Sequence, residues 1–171
     1  MLRTIKNNLL AGYRISPLQE WKFSLALMTI FGGIAVAVGS AGSLYQLEML
    51  QSRMMYFLPF SLFLFPAFLE ESFFRGILIP HNTKEKGPAA GLLFTLLSAA
   101  LFTAWHPLNA LTVNPGASEL FLNPSFLAIA FCLGIVCSLS YIRSRSLWTP
   151  IIMHWLVIWV LFLGGRNLIL E

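Results

Sequence analysis

The chain has 171 residues, of which 57% are hydrophobic and 11% charged, and its formal net charge is +4. Its mean hydropathy is +0.76, which means more apolar side chains than one soluble domain of this size can bury. The composition therefore indicates a polytopic membrane protein. Most of the positive charge flanks apolar segments. That placement excludes nucleic acid as an expected partner and leaves the lipid bilayer.

The first two helices are predicted from the spacing of apolar residues and from residues that favour helix starts. Residues 2 to 14 carry apolar side chains three and four positions apart, which predicts a short helix on the membrane surface. Ser16, Pro17 and Gln19 form a capping-box pattern, so a second helix is predicted to start there and to run through the apolar stretch 23–45. The sequence VGSAGS near its end also resembles a secretory cleavage site, but the regions before it are longer than such signals usually have.

Four further apolar spans are predicted at about residues 54–79, 89–106, 124–141 and 147–163, each near the roughly 20 residues that cross a bilayer. Pro88 and Pro124 stand at first-turn positions, the latter after Asn123 as a cap, whereas Pro107 and the pair Gly164–Gly165 are predicted to mark ends. Two cysteines five positions apart, Cys132 and Cys137, are interpreted as small apolar side chains.

The predicted fold class is therefore all-α: a polytopic integral membrane helical bundle of about five transmembrane helices plus an N-terminal interfacial helix. We expect one membrane domain over residues 1–171, divided into a surface helix (1–16), a first helix and loop (17–53), a core (54–163) and a tail (164–171). Small residues recur every four positions, as in Thr95/Ala99/Thr103 and Ala130/Gly134/Ser138, and predict close helix packing.

The distribution of Lys and Arg predicts the orientation. If the spans alternate in direction, eight basic residues fall on the side of the N-terminus, Arg53 and Arg166 fall on the other side, and Arg75 lies within the membrane. Basic residues are enriched in cytoplasmic loops, so the N-terminus is predicted to be cytoplasmic.

Three ionisable residues, Glu70, Glu71 and Arg75, interrupt the apolar sequence FSLFLFPAFLEESFFRGILI. Such groups at bilayer depth are costly and usually face a bundle interior or an aqueous cavity. On a helix the two glutamates diverge by about 100°, whereas Glu71 and Arg75 have the spacing of a helical ion pair. This pattern leaves Glu70 as the free carboxylate, although all three residues could instead form a network that only stabilises the bundle.

Two histidines also lie in apolar spans, His106 in LFTAWHP and His154 in TPIIMHWLVIW. One carboxylate and two imidazoles from three helices have the content of a water-activating site, with Glu70 as base, His106 orienting the water and His154 donating to the developing oxyanion. The same set could bind zinc with an open position. Because HExxH and any Asp are absent, we favour a metal-free site without a cofactor; GxSxG is also absent, which argues against a serine protease.

Three ordered segments resemble the CPBP family (CAAX protease and bacteriocin-processing, or Abi) of glutamic-type intramembrane proteases. EESFFRG, residues 70–76, matches the EExxxR motif followed by glycine; FTAWH, residues 102–106, matches FxxxH; and SLWTPIIMH, residues 146–154, resembles the segment before the last histidine. The resemblance implies an intramembrane endopeptidase in a bacterial plasma membrane that hydrolyses a membrane-anchored peptide or protein. It assigns water activation and oxyanion stabilisation to Glu70, His106 and His154, with Glu71, Arg75 and Phe102 as supporting residues.

One departure from the family pattern concerns Ile158, since the family usually has Asn or Asp four residues after the last histidine. Loss of one oxyanion donor could cost about 3 kcal/mol in the transition state, and Asn109 is a candidate substitute. Ile158 favours the alternative function, a non-catalytic CPBP-like membrane protein such as an immunity or partner-stabilising factor. A small transporter is a third possibility, since buried Glu and His can relay protons, but no inverted repeat is evident.

Depth poses a separate requirement. At about 1.5 Å of rise per residue, His154 is expected near the cytoplasmic side, His106 deep and Glu70 between them. A kink at Pro66, a strong tilt or a re-entrant third span would be needed to bring the three together.

Overall fold

The structure is a computed structural model that describes residues 2–44 and 57–164. Every regular element in these two ranges is helical. The longer helices are α1 (Leu2–Gly12), α2 (Leu18–Ala41), α5 (Pro88–Thr112), α7 (Pro124–Ser144) and α8 (Trp148–Gly164). The short helices are α3 (Leu58–Leu62), α4 (Leu69–Glu71) and α6 (Ser118–Phe121); π-helical turns at Phe63–Phe68 and Ser72–Ile77 flank α4.

Three of these helices, α2, α5 and α7, are long and apolar enough to cross a membrane, and α8 contains a shorter apolar helix. The prediction of an all-α membrane bundle is confirmed. The predicted span at 54–79 is not one continuous helix, since it consists of α3, α4 and the two π-helical turns. The domain division stays a prediction, and its segments at 45–56 and 165–171 lie outside the described residues.

Prolines set two of the helix starts as predicted. Pro88 and Pro124 occupy the first turns of α5 and α7. The Asn123 side chain caps α7, because its Oδ1 accepts hydrogen bonds from the amides of Ser125 at 2.9 Å and Phe126 at 3.4 Å.

Two boundary predictions are wrong. Pro107 does not end α5, which continues to Thr112 with the proline inside it. A proline removes one backbone donor, and membrane helices tolerate this loss where neighbouring groups satisfy the freed carbonyl. The predicted capping box at Ser16 is also absent: α2 begins at Leu18, and Pro17 is its N-cap without a side-chain hydrogen bond. The first hydrogen bond of the helix is accepted by the carbonyl of Pro17, from the amide of Glu20 at 3.0 Å. The N-cap position is therefore Pro17 and not Ser16, whose buried hydroxyl has no hydrogen-bond partner.

The α7 helix is antiparallel to its neighbours and occupies the centre of the bundle. Near the end of α7, the hydroxyl of Ser140 is hydrogen-bonded to the hydroxyl of Ser24 on α2 at 2.8 Å. It donates to the hydroxyl of Thr149 on α8 at 2.9 Å. At its middle, a Cβ on Gly134 would lie 2.8 Å from the Cα of Ala99 on α5. The predicted close packing of small residues is therefore present where α5 meets α7.

The third helical segment changes direction before it reaches the glutamates. Phe65 has non-helical backbone angles, φ −134° and ψ 116°, and Pro66 follows it. A kink at Pro66, one of the three arrangements that depth allowed, is thus present, and π-helical turns lie on both sides of α4, which carries Glu70 and Glu71.

Basic residues gather at one end of the bundle, here called the basic end, formed by the start of α2, the turn at 83–86 and the α7–α8 connection. Arg143 pairs with Glu20 at 2.7 Å, and Arg145 pairs with Glu85. The Lys84 ammonium approaches the carbonyl of Arg143 at 3.5 Å. The other basic side chains here are Arg14, Lys22 and Lys86.

The α1 helix forms at the predicted position and packs at the basic end. The hydroxyls of Tyr13, just after α1, and Ser72 are 2.8 Å apart, and the Trp148 indole donates to the Tyr13 carbonyl at 2.8 Å. The Leu147 amide donates to the carbonyl of Gly12 at 2.6 Å. These contacts join α1 to the π-helical turn after α4 and to the start of α8, while its location on a membrane surface stays a prediction.

Candidate active site

The predicted Glu71–Arg75 ion pair is present and fully buried. Arg75 Nη1 donates to Glu71 Oε1 at 2.8 Å, with both side chains 0% exposed. Its Nη2 donates to the carbonyl of Gly134 at 3.1 Å, and the guanidinium lies over the Phe102 ring at 4.7 Å from the centroid. Arg75 therefore ties the glutamate segment to α7 and α5 at once.

Glu71 has a second partner that the sequence did not predict. Its Oε1 lies 2.8 Å from Nδ1 of His154. A carboxylate can only accept, so Nδ1 of His154 carries the proton and Nε2 is directed away from Glu71. The ion pair thus fixes the imidazole on α8 as well as the arginine.

Glu70 faces the other ring nitrogen of the same imidazole. Its Oε2 is 4.0 Å from His154 Nε2, beyond direct hydrogen-bond distance, and has no hydrogen-bond partner. Its Oε1 accepts a hydrogen bond from the indole of Trp105 at 3.1 Å. Glu70 and Glu71 therefore have different partners, and they flank one imidazole.

Trp105 is a site residue that sequence reasoning missed. A signal was available: an indole N–H at bilayer depth needs an acceptor, and Trp105 directly precedes His106 in FTAWH. The Trp105 side chain holds one oxygen of Glu70 and leaves the other facing His154.

His106 lies on α5 among aromatic rings. Its Nδ1 is 2.9 Å from the carbonyl of Phe102, and a carbonyl only accepts, so Nδ1 donates and Nε2 can act as acceptor. Its ring is in edge contact with Phe102 at 5.0 Å and with Phe121 and Phe126 at 5.2 Å. The Phe102 ring also contacts His154 at 5.4 Å, so Phe102 lies against both histidines.

One apolar cavity of about 700 Å³ brings the three candidate catalytic residues together, since Glu70, His106 and His154 all line it. Asn109 and Ile158 also line it, and the buried Oδ1 of Asn109 has no hydrogen-bond partner. The supporting residue Phe102 lines the cavity, whereas Glu71 and Arg75 lie behind His154. The three residues that the sequence singled out therefore line the same cavity, and their roles stay a prediction.

The described ranges contain no group of side chains arranged as metal ligands. Across residues 2–44 and 57–164, no three His, Cys, Asp or Glu side chains converge as metal ligands. Both cysteines are free, and Cys137 is fully buried beside the carbonyl of Pro150.

The long apolar helices indicate an integral membrane protein, and its Glu71 and His154 side chains form a buried pair. The family described as type II CAAX prenyl endopeptidase Rce1-like matches residues 52–160, and the chain belongs to this family. This confirms the resemblance to the CPBP family. The family is one of peptidases that act on membrane-associated substrates. No curated protein and no solved structure matches the chain significantly.

Proposed function

We propose that this protein is a glutamic-type intramembrane endopeptidase that hydrolyses a peptide bond of a membrane-associated substrate. The observation that carries the proposal is the convergence of Glu70, His106 and His154 on one cavity. Membership of a family of endopeptidases supports peptide hydrolysis as the reaction.

Glu70 is the proposed general base. Its unpartnered Oε2 lies 4.0 Å from His154 Nε2, a separation that one water molecule can bridge with hydrogen bonds of about 2.8 Å to each atom. Glu70 takes a proton from the water, the hydroxide attacks the substrate carbonyl carbon, and the same carboxyl returns the proton to the leaving amine. His106, whose Nε2 is available as acceptor, orients the attacking water.

His154 is the proposed oxyanion donor. With a proton on each ring nitrogen, it donates Nδ1–H to Glu71 and Nε2–H to the oxygen that develops negative charge.

Asn109 supplies a further polar group on the cavity wall. Ile158 stands one turn beyond His154 and offers no hydrogen bond, whereas the side-chain amide of Asn109 lines the same cavity. We propose that the Nδ2–H group of Asn109 donates to the substrate carbonyl oxygen in place of a donor at position 158. The scheme uses no metal or other cofactor.

The proposed orientation has the basic end in the cytoplasm of a bacterial cell. Arg14, Lys22, Lys84, Lys86, Arg143 and Arg145 all lie at that end. Cytoplasmic loops carry an excess of basic residues, which supports this placement of the N-terminus.

The proposal can be tested without a known substrate. Membrane fractions from cells that express the wild type, Glu70→Gln, His106→Ala or the surface control Glu85→Gln would be compared by mass spectrometry of new protein N-termini. We expect a set of new N-termini with the wild type and with Glu85→Gln that is lost with Glu70→Gln and His106→Ala. Size-exclusion chromatography in detergent would show that each variant remains folded.

The opposite result favours the non-catalytic alternative. If folded Glu70→Gln and His106→Ala proteins give the same N-termini as the wild type, the glutamate–histidine mechanism is wrong. If the wild type itself produces none, but expression protects the cell or stabilises a partner equally with Glu70→Gln, the immunity or partner-stabilising function replaces proteolysis.

A further inference from the structure

We infer that Tyr13 is a positioning residue, which holds the segment that carries Glu70 and Glu71 in place against the helix that carries His154. The inference rests on the proposed function and adds to it a residue outside residues 52–160, the part of the chain that matches the family. Contacts of Tyr13 on two sides, and the geometry of the site between them, support it.

On one side, the Tyr13 hydroxyl begins a chain of hydrogen bonds around α4. The Ser72 hydroxyl donates to the carbonyl of Phe68 at 2.6 Å, and its oxygen lies 2.8 Å from the hydroxyl of Tyr13. A serine hydroxyl carries a single proton, so Ser72 must accept the hydrogen bond from Tyr13. Phe68 and Ser72 directly precede and follow α4. The Tyr13 hydroxyl therefore acts on both ends of the short helix that carries the two glutamates.

The α4 helix needs such support because it is short. It contains three residues between two π-helical turns, which is less than one turn of α-helix. So short a helix has little stability of its own, and the direction of its side chains depends on what packs against it. The Tyr13 ring supplies part of that packing, since it is stacked on the Phe68 ring at 5.6 Å with an interplanar angle of 11°.

On the other side, the backbone at Tyr13 is bound to the start of α8. The indole of Trp148, the first residue of α8, donates to the Tyr13 carbonyl at 2.8 Å. The Leu147 amide donates to the carbonyl of Gly12 at 2.6 Å. One residue thus contacts the glutamate segment through its side chain and the helix of His154 through its carbonyl.

The two connected parts of the chain meet at the candidate site. Glu71, which directly precedes Ser72, lies 2.8 Å from Nδ1 of His154, and Glu70 faces Nε2 of the same ring at 4.0 Å. A misplacement of about 1 Å in a catalytic site can lower a rate about a hundredfold. Tyr13 is not among the residues that line the cavity, so it acts through Ser72 and is not a catalytic residue.

Close packing at the end of α1 should keep the fold intact when this hydrogen bond is lost. A Cβ at Gly76, in the turn that begins at Ser72, would lie 2.6 Å from Leu9 and 3.1 Å from Leu147. These contacts do not involve the Tyr13 hydroxyl. Its removal should therefore change the direction of the glutamates without releasing α1.

The first test compares Tyr13→Phe with Tyr141→Phe. Tyr13→Phe keeps the stacked ring and removes the hydroxyl, whereas the buried hydroxyl of Tyr141 has no hydrogen-bond partner, so its removal is the matched control. With a peptide that the wild type cleaves, we expect kcat to fall about tenfold for Tyr13→Phe and KM to stay unchanged. Both parameters, and the unfolding temperature of each variant in detergent, should otherwise stay near the wild-type values.

Ser72→Ala provides a second variant on the same chain of hydrogen bonds. It should also lower kcat, and the double variant Tyr13→Phe/Ser72→Ala should lower it no further than Ser72→Ala alone, because both hydroxyls act through one chain. Effects on kcat that simply multiply would overturn the inference.

A second measurement needs no substrate. Histidine labelled with an NMR-active nitrogen isotope would report on the ring nitrogens, with the His154 signals assigned by their loss in His154→Ala. Their positions depend on which nitrogen carries the proton and on its partner. We expect Tyr13→Phe to shift the signals of His154 and not those of His81. Tyr141→Phe should do the opposite, because the rings of His81 and Tyr141 are 6.4 Å apart.

Unmoved His154 signals in folded Tyr13→Phe overturn the inference. A lower unfolding temperature with wild-type kcat also overturns it, since Tyr13 would then only stabilise the fold. If the wild type cleaves no peptide, the proposed function fails, and the His154 signals still decide whether Tyr13 positions the pair. The two failures are therefore distinguishable.

Discussion

Nδ1 of His154 lies 2.8 Å from Oε1 of Glu71, the same oxygen that accepts the hydrogen bond from Arg75. One carboxylate oxygen therefore joins two nitrogen donors from different parts of the chain. Glu71 fixes the ring of His154, and the other ring nitrogen faces Glu70 at 4.0 Å. The two glutamates of LEESFFRG thus act on one imidazole from opposite sides.

Replacement of Glu71 by Gln should destabilise the fold more than the same change at Glu70. Glu71→Gln leaves the guanidinium of Arg75, which is 0% exposed, without a counter-charge, and breaking a buried pair costs about 3–5 kcal/mol. The Glu70 side chain is 16% exposed and forms no ion pair with an arginine. In detergent, the unfolding temperature should therefore fall strongly for Glu71→Gln and only slightly for Glu70→Gln. Equal decreases in the two variants would contradict the different contributions of the two glutamates to stability.

Replacement of Trp105 by Phe should lower activity without unfolding the protein. The change keeps an aromatic ring but removes the N–H that donates to Glu70 at 3.1 Å. A hydrogen bond to a charged group contributes about 1.5–3 kcal/mol, so we expect kcat/KM for a cleaved peptide to fall about tenfold or more. Trp159→Phe, which alters a ring stacked on Trp155, is the matched control and should keep kcat/KM near the wild-type value.

A methyl group at Gly134 should separate α5 from α7. The Cβ of Gly134→Ala would lie 2.8 Å from the Cα of Ala99, where backbone must move, and overpacking of this kind costs about 1–3 kcal/mol. Nothing lies within 4 Å of a Cβ at Gly91 on the same helix pair, so Gly91→Ala is the control. Unfolding temperatures should fall for Gly134→Ala and stay level or rise for Gly91→Ala; a similar change in both would show that the close approach has no effect.

His81, in the connection before α5, should make stability depend on pH. Burial lowers the pKa of His81, the nearby Arg145 and Arg14 lower it further, and Glu85 partly opposes them. The unfolded chain then binds more protons than the folded one as pH falls through about 6.5, so stability is present above that pH and lost below it. Unfolding temperatures between about pH 7.5 and about pH 5.5 should fall less for His81→Gln than for the wild type; an equal fall would contradict the lowered pKa.

Local signals predicted much of the fold. Pro88, Pro124 and Asn123 act within one turn of themselves, and a single sequence is sufficient to place such caps. Pro107 was misassigned as a helix end, because its effect depends on which neighbouring groups satisfy the freed carbonyl, and that is a property of the assembled bundle.

The site was predictable where side-chain chemistry alone constrains it. Ionisable residues in apolar spans pointed to Glu70, His106 and His154, and helical spacing gave the Glu71–Arg75 pair. The sequence indicated that the Trp105 indole needs an acceptor, but the choice of Glu70 as that acceptor and of Glu71 as the partner of His154 depends on the direction that the chain takes after Phe65 and Pro66. Spacing along the sequence does not encode that direction.

The packing of α1 at the basic end has a consequence for how the protein is made. Tyr13 leaves the ribosome early, but its partners Ser72 and Trp148 are separated from it by 59 and 135 positions. The contact between Tyr13 and Ser72 can form once the third helical segment is present, whereas the contact with Trp148 has to wait for α8. Until α8 has been inserted, Glu71 lacks His154 and Gly76 lacks Leu147, so the buried cluster around Glu71 is incomplete until residues 147–154 are in place.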